Sequence, residues 1–491
     1  MRVAIYSHSI PPAVDGVSRR FTSIISELHK AGHEVLVFTL EKEPQLEATL
    51  FPGSKRRPMF KYVHLESTFH DLYPSKRIAA PTLGNLWHIG HALAQVRPDV
   101  IHCTADAITL QFGLAGKALG IPVVTSIHTD VQLGLAAVGA PSLALYLTNL
   151  KERMESCLLD SCATTSESFK TKLLKQGVAC DYVVKTAVQV DKFNPGRRCA
   201  KTRAQLTFND PDAFLIVYVG RLAPEKGLDT LVTMARSVDR CYLAVIGDGP
   251  LGPHLAAQHG AANRLYCRPG FLDHDALPAV YASADAHATA SVFETLGNTV
   301  LEAHACGVPV VAPRAQGFVD TVSHGVDGLL FDAAGLGAVG AAASGARALA
   351  ALRDDPALRA RLGAAGRAKV LLHAPDQVAR DIVQWYGAAA ARGARAGPLT
   401  AAVRASQLFA AVLMVLIGWH VYALPAALAR AVGELLKGLR SVIASSPLAR
   451  SIRASYGTLA GPVPIGGGGD CGGGERGGAG PLVRGKGQRQ G

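Results

Sequence analysis

Four charged residues between positions 221 and 302 of this 491-residue chain have types and spacings suited to chemistry. Arg221 and Lys226 lie five apart in Gly220-Arg221-Leu222-Ala223-Pro224-Glu225-Lys226-Gly227, straddling a Pro turn just after the apolar run Phe214–Val219. Two cations at a strand-to-helix junction can converge on one anion, Arg offering a planar fork to phosphate and Lys a compact charge. Positive charge is unfavourable against the dipole at a helix N-terminus, so cations placed there argue for a ligand over a solvated helix start. Glu294 and Glu302, with seven residues between them, belong to Ser291-Val-Phe-Glu-Thr-Leu-Gly-Asn-Thr-Val-Leu-Glu302. This stretch predicts a loop, a helix opening near Gly297, a stop at Gly307 and a short buried strand over Val308–Ala312. Glu294 then lies in the loop at the helix start and Glu302 one to two turns in. The helix start offers free backbone N–H groups to an anion, and a carboxylate accepts hydrogen bonds from hydroxyl groups. Alone, two glutamates at this spacing are most often a solvated helix edge; their surroundings argue for a site.

Three further places combine a strand end with polar residues. Ser7 to Ser18 contains Pro11-Pro12 and Asp15-Gly16 before a helical pattern. Gly16 leaves the backbone open to a phosphate or an acceptor, although the same residues suit a turn and N-cap. In Thr125-Ser126-Ile127-His128-Thr129-Asp130, His128 directly follows a buried strand, an active-site position in many α/β proteins. Ser166, in Thr164-Thr165-Ser166-Glu167-Ser168, is most simply an N-cap.

The elements that must position these residues come in two strand–helix series. The first has candidate strands Val3–Ser7, Glu34–Thr39, Tyr62–Leu65, Val100–His102, Val123–Ile127, Ala163–Thr165 and Tyr182–Lys185. The second starts at Phe214–Val219 and continues through Tyr242–Ile246, Leu265–Cys267 and Ala286–Thr289. Alternation of this kind predicts parallel, doubly wound sheets, with ligands bound beyond the carboxyl ends of the strands.

With these residues in view, the chain resembles the retaining glycosyltransferases of family 4. The Gly220–Gly227 phrase matches that family's diphosphate-binding motif. Glu-x7-Glu followed by Ala305-Cys306-Gly307-Val308-Pro309-Val310-Val311 matches its donor-site motif, and Val190-Asp191-Lys192-Phe193-Asn194-Pro195 its linker entry. The resemblance covers about residues 1–391 and implies an α/β GT-B fold: two doubly wound Rossmann-like domains facing a cleft, here followed by a C-terminal hydrophobic segment. It implies an acceptor domain over 1–190, a linker over 191–212, a nucleotide-sugar domain over 213–375 and a cross-over helix over 376–396. It also implies roles. Arg221 and Lys226 would hold the donor's diphosphate, Glu302 the ribose hydroxyls and Glu294 the sugar. Thr295, Leu296 and Gly297 would bring backbone N–H groups to the sugar or phosphate, and Gly16 would belong to the donor-binding set. Gly270 and Phe271 would face the base, and His128 would sit across the cleft near the reacting hydroxyl. The two cations would do the electrostatic work of a metal, so no cofactor or metal is expected. Where the family commonly has Ala-Gly-Gly, this chain has Ala315-Gln316-Gly317, a departure beside the expected sugar.

Composition bounds the partners. A net charge of +12 favours anionic partners such as nucleotides or lipid headgroups. Nucleic acid is not expected, because the sequence has no zinc-finger spacing and no basic stripe interleaved with aromatics. Nine dispersed cysteines, none in a CxxC pair, suit a reducing compartment. The first strand begins at Met1, so no leader is expected and the catalytic part should face the cytoplasm or its equivalent.

The last hundred residues differ. Leu408–Ala429 is uncharged and long enough to span the ~30 Å hydrocarbon core. A membrane segment over 404–430 is therefore expected, either spanning or dipping in and out on one side around Gly418 to Pro425. A basic, Gly-rich disordered tail over 431–491 follows. The resemblance implies a UDP- or GDP-sugar donor, and the basic charge with the membrane segment favours a membrane lipid acceptor such as diacylglycerol or phosphatidylinositol. A soluble sugar or glycan acceptor is the alternative, and a silent nucleotide-sugar-binding protein a third reading. A dinucleotide-dependent oxidoreductase would need Gly-x-Gly-x-x-Gly after a first strand, which neither half has.

Overall fold

The computed structural model describes all residues except 14, 52–59, 71–72, 138–141, 271, 273–275, 396–402 and 417–491. Apolar runs such as Phe214-Leu-Ile-Val-Tyr-Val219 are buried on both faces, as central parallel strands require. The first sheet holds Arg2–Tyr6 (β1), Glu34–Thr39 (β2), Lys61–His64 (β3), Val100–Thr104 (β4), Val123–Ile127 (β5), Ser161–Thr164 (β6) and Tyr182–Val183 (β7). Its order is β3-β2-β1-β4-β5-β6-β7, every pairing parallel. The second holds Phe214–Val219 (β8), Cys241–Gly247 (β9), Leu265–Pro269 (β10), Ala286–Ala288 (β11), Val310–Pro313 (β12) and Gly328–Phe331 (β13), in the order β10-β9-β8-β11-β12-β13. Strand order reverses beside β1 and beside β8, and these switch points are where an open α/β sheet leaves a crevice.

Three helices matter most for the site. Helix α1, Gly16–Lys30, follows β1 and buries Phe21, Ile24, Ile25 and Leu28 against the first sheet. Helix α2, Asn298–Ala305, follows the Glu294 loop. Helix α3, Pro375–Arg395, returns from the second domain and inserts Val378, Ile382, Trp385, Tyr386 and Ala389 into the core under α1. Trp385 Nε1–H donates to Ser161 Oγ at 2.7 Å, which satisfies its one polar atom.

Several details depart from expectation. The pair Ser67–His70 and Tyr73–Ala79 forms an antiparallel hairpin that the sequence pattern does not announce. Residues 337–371, alanine-rich and helical in pattern, are helical as that pattern predicts, but as two helices, Gly337–Asp354 and Pro356–Leu371, broken where Asp355 caps the second and Pro356 opens it. Between the sheets lie short helices, Pro195–Arg197 and Ala200–Leu206, and Leu206 is buried in the second domain's core. Gly328–Phe331, for which the sequence pattern gives no strand, is an edge strand.

The expected membrane segment is also different in its first half. Residues 403–416 form a helix whose Leu408, Ala411, Val412 and Leu416 are buried in the first domain's core. Phe409, Leu413 and Met414 are exposed. One face of this helix is thus held in a protein core, while the opposite face presents apolar side chains. Among the described residues no helix is long and apolar enough to cross a membrane. Residues 417–430 of that segment, and the expected disordered tail, lie outside the described residues.

Candidate functional site

The loops that leave the carboxyl ends of β1, β5, β6, β8, β11 and β12 meet in one place. Lys226 ends the 3-10 turn Pro224–Lys226 and reaches across to the Glu294 loop, its Nζ 3.1 Å from Glu294 Oε2. Gly227 beside it has φ +64, and a Cβ there would lie 2.7 Å from the carbonyl oxygen of Ala290, so the turn needs glycine to approach the β11 loop. Arg221 pairs instead with Glu225, at 2.6 Å, and half of its side chain is exposed. The two cations thus meet different carboxylates in the protein alone. Tyr218 Oη–H donates to the Arg221 carbonyl at 2.9 Å and pins the turn that carries it.

Glu294 is held from both sides. Its N–H donates to Gln316 Oε1 at 2.9 Å, and its carbonyl accepts from Gly317 N–H at 2.8 Å. Gln316 is the residue that departs from Gly in the motif, and it adopts φ +43, a conformation that costs a non-glycine residue energy. Its side chain repays that cost locally by accepting from a loop N–H. A Cβ on Gly317 would come within 2.4 Å of Thr295 backbone atoms, so this second Gly is obligatory.

Helix α2 opens at Gly297, which has φ +88 and makes no side-chain cap. Its first N–H groups are therefore uncapped, an arrangement suited to a phosphate. Leu296 packs its side chain against the second domain's core, and its backbone N lies against Gly317. The N-terminus of α1 faces the same point: a Cβ on Gly16 would lie 2.8 Å from Asn298 Nδ2.

Glu302 sits within α2 with both oxygens engaged. Oε1 is 2.7 Å from Arg19 Nη1 of α1, and Oε2 accepts from Tyr281 Oη at 2.9 Å. Burial raises its pKa, and Arg19 and Tyr281 oppose that shift. A carboxylate has about four acceptor positions, so two remain for hydroxyl groups.

The first domain supplies the other wall. Thr295 Oγ1–H donates to the His128 carbonyl at 3.0 Å, and Ser166 Oγ–H donates to the Thr295 carbonyl at 3.0 Å. Ser168 donates to Asp320 through both N–H and Oγ–H. Ser166 also caps its helix by accepting from Phe169 N–H, as its place in the sequence suggests. His128 Nε2 lies 2.7 Å from Ser126 Oγ, and its Nδ1 has no hydrogen-bond partner among the described residues.

The structure thus gathers Gly16, His128, Lys226, Glu294, Thr295, Leu296, Gly297 and Glu302, with Arg221 at the rim. Gly270, φ +94, follows β10 and bridges to Gly247 at the end of β9. Phe271 lies outside the described residues. Sequence reasoning missed Arg19 and Tyr281, because no spacing links residue 19 or 281 to residue 302. Among the described residues no three His, Cys, Asp or Glu side chains come together as a metal-binding group.

Comparison with known proteins decides the family. The model for Glycosyltransferase Family 4 matches residues 14–188, and that for Glycosyl transferases group 1 matches residues 213–355. The chain is 30% identical over 336 residues to a GDP-mannose-dependent alpha-mannosyltransferase of Mycobacterium tuberculosis, covering 67% of this chain and 83% of that one. The chain belongs to glycosyltransferase family 4. It is 28% identical over 341 residues to a sulfoquinovosyl transferase of Arabidopsis thaliana, covering 67% of this family 4 chain and 64% of that relative's length. A solved sucrose-phosphate synthase from Thermosynechococcus elongatus superposes with TM-score 0.61 at 23% identity, covering 79% of this chain and 98% of that one. The Anabaena protein HepE, solved with UDP and glucose, gives TM-score 0.59 at 16% identity, covering 79% and 99%. The fold of this family 4 transferase is GT-B.

Proposed function

We propose that the protein is a retaining glycosyltransferase that moves a sugar from a UDP- or GDP-sugar to a membrane lipid such as diacylglycerol or phosphatidylinositol. The observation that carries this reading is the Lys226–Glu294 pair at the uncapped start of α2, with Glu302 on the same helix. A diphosphate entering there meets Lys226, Arg221 and the α2 N–H groups. Neutralising it binds the donor and stabilises the leaving group as charge develops on it. The diphosphate competes with Glu294 for Lys226 and with Glu225 for Arg221, which frees Glu294 to accept from sugar hydroxyls. Glu302 accepts from the ribose hydroxyls. His128 and Gly16 complete the wall on the first domain, and the closed cleft excludes water that would hydrolyse the donor. No metal or other cofactor is part of this reading.

The lipid acceptor is supported by the net charge of +12, by the sulfoquinovosyl and mannosyl transferases among the relatives, and by the uncharged run that continues past residue 416. The free thiols of the described cysteines support a reducing compartment facing the cytoplasm or its equivalent. The globular packing of residues 403–416 favours a second reading, in which the acceptor is a soluble sugar or glycan. The test is incubation of the full-length protein with separate UDP- and GDP-sugars and a native lipid extract, with products read by mass. A new glycolipid with one donor is the expected result. Free nucleotide without a lipid product points to the soluble acceptor, and no turnover with any donor overturns the reading.

A further inference from the structure

A buried chain of hydrogen bonds runs from His128 to the helix that returns from the second domain. Ser126 Oγ is 2.7 Å from His128 Nε2 and also 2.7 Å from His102 Nε2. His102 Nδ1 is 2.8 Å from Tyr386 Oη on α3. Ser126, His102 and Tyr386 are all at most 1% exposed, so the chain of bonds is shut off from bulk solvent. Phe21 meets the His128 ring edge-on at 5.4 Å and lies 5.1 Å from His102, while Trp385 meets His102 edge-on at 5.2 Å. Neither imidazole can turn without displacing an aromatic neighbour.

Counting protons gives this chain a direction. Burial keeps the Tyr386 phenol protonated, and its hydroxyl has His102 Nδ1 as its hydrogen-bond partner. That proton therefore lies on the bond to His102, whose Nδ1 accepts. His102 is neutral, because burial and the nearby Arg20 guanidinium pull its pKa down to about 3. A neutral imidazole with an accepting Nδ1 carries its proton on Nε2, and donates it to Ser126. Ser126 has a single proton, which must go to His128 Nε2. The proton of neutral His128 is then on Nδ1, the atom with no partner among the described residues. Burial, Arg20, His102 and His8 all disfavour a second proton on this ring. The opposite direction would leave the Tyr386 proton buried without an acceptor, which native structures avoid.

We propose that Tyr386, His102 and Ser126 are positioning residues that hold His128 in one tautomer, as a hydrogen-bond donor through Nδ1–H to an oxygen of the substrate. The proposal rests on the reading of His128 as part of the transfer site and assigns its role there. In this tautomer Nδ1 cannot take a proton from the accepting hydroxyl. It can stabilise a sugar hydroxyl or a departing phosphate oxygen. Because the chain starts on α3, docking of that helix sets the proton position at the site.

The test uses full-length protein labelled with 15N-histidine, reading which ring nitrogen carries hydrogen. His128 signals are assigned by their loss in His128→Gln. The expected result is Nδ1–H at His128 in the wild-type protein. In Tyr386→Phe, which deletes only the phenol oxygen, the His128 signals should move toward the Nε2–H form. The turnover number should fall by about tenfold to a hundredfold, the usual cost of losing such an outer partner, with little change in donor KM. Ser126→Thr keeps the hydroxyl and should keep both tautomer and rate. Nε2–H at His128 in the wild type, a measurement that needs no variant to fold, overturns the proposal. So does an unchanged tautomer in Tyr386→Phe. A tautomer that follows the chain in a protein with no transferase activity leaves the relay standing and removes the reading of the site.

Discussion

Glu302→Gln isolates the recognition of the nucleotide's ribose. The wild-type carboxylate accepts from Arg19 at 2.7 Å on one oxygen and from Tyr281 at 2.9 Å on the other. In the glutamine variant the side-chain oxygen must stay on Arg19, which has no acceptor. The side-chain NH2 then faces Tyr281, whose hydroxyl turns to accept. The ribose diol is left with one neutral oxygen, already shared with Arg19, in place of a two-oxygen carboxylate. At least one hydrogen bond to a charged group is lost, worth about 1.5–3 kcal/mol. At about 1.4 kcal/mol per factor of ten, the affinity for UDP or GDP should fall roughly ten- to a hundredfold. Calorimetric titration with the nucleoside diphosphate and with inorganic pyrophosphate separates this from general damage. Pyrophosphate has no ribose, so its binding should stay within a fewfold of wild type. Equal loss for both ligands, or no loss for either, refutes the assignment of Glu302 to the ribose.

Three further outcomes follow from specific contacts. Gly16→Ala places a Cβ 2.8 Å from Asn298 Nδ2 and should raise the donor KM without lowering the melting temperature; pairing it with Asn298→Ala should restore KM, and failure to do so would show that the α1 N-terminus does not face α2 in solution. Truncation after Arg395 uncovers the core contacts of Leu408, Val412 and Leu416 and should cost roughly 5 kcal/mol of stability. An unchanged denaturation midpoint in detergent-free buffer would contradict the packing of residues 403–416. His102 and His287 are fully buried, and burial holds both pKa values near 3. As pH falls below about 6.5 the unfolded chain takes up protons that the folded protein refuses. Stability is therefore retained above that pH and lost on the way down toward 3. Urea unfolding at pH 5.5 should give about 3 kcal/mol less from these two histidines than at pH 7.5, and a flat profile would refute their burial.

The sequence was most legible where chemistry is local. Arg221, Lys226, Glu294 and Glu302 sit at turn and helix starts that Gly, Pro and the apolar runs around them announce. The strands of both sheets are continuous apolar segments, easily read as buried. Two elements were not: Gly328–Phe331 and the Ser67–Ala79 hairpin lack the apolar length of a central strand. Contacts between distant residues were also out of reach, since Arg19 on α1 meets Glu302 on α2 of the other domain, and Tyr386 meets His102 only because α3 packs on the first sheet. The run from residue 408 was read by its lack of charge. Because residues 408–416 are apolar at every position, no spacing in the sequence separates the face that packs on the core, Leu408, Ala411, Val412 and Leu416, from the exposed one.

The central claim is that Lys226 and Arg221 hold a nucleoside diphosphate by their own charge. Equilibrium binding of UDP and GDP in the presence of a chelator, to wild type, Lys226→Ala and Arg221→Ala, tests it most directly. The account predicts tight binding of one nucleotide by the wild type without metal, and a loss of about a hundredfold in Lys226→Ala, where a part-buried charge-assisted contact is removed. The loss should be smaller in Arg221→Ala, whose side chain is half exposed. Binding that requires a divalent cation, or that survives both substitutions, would contradict it.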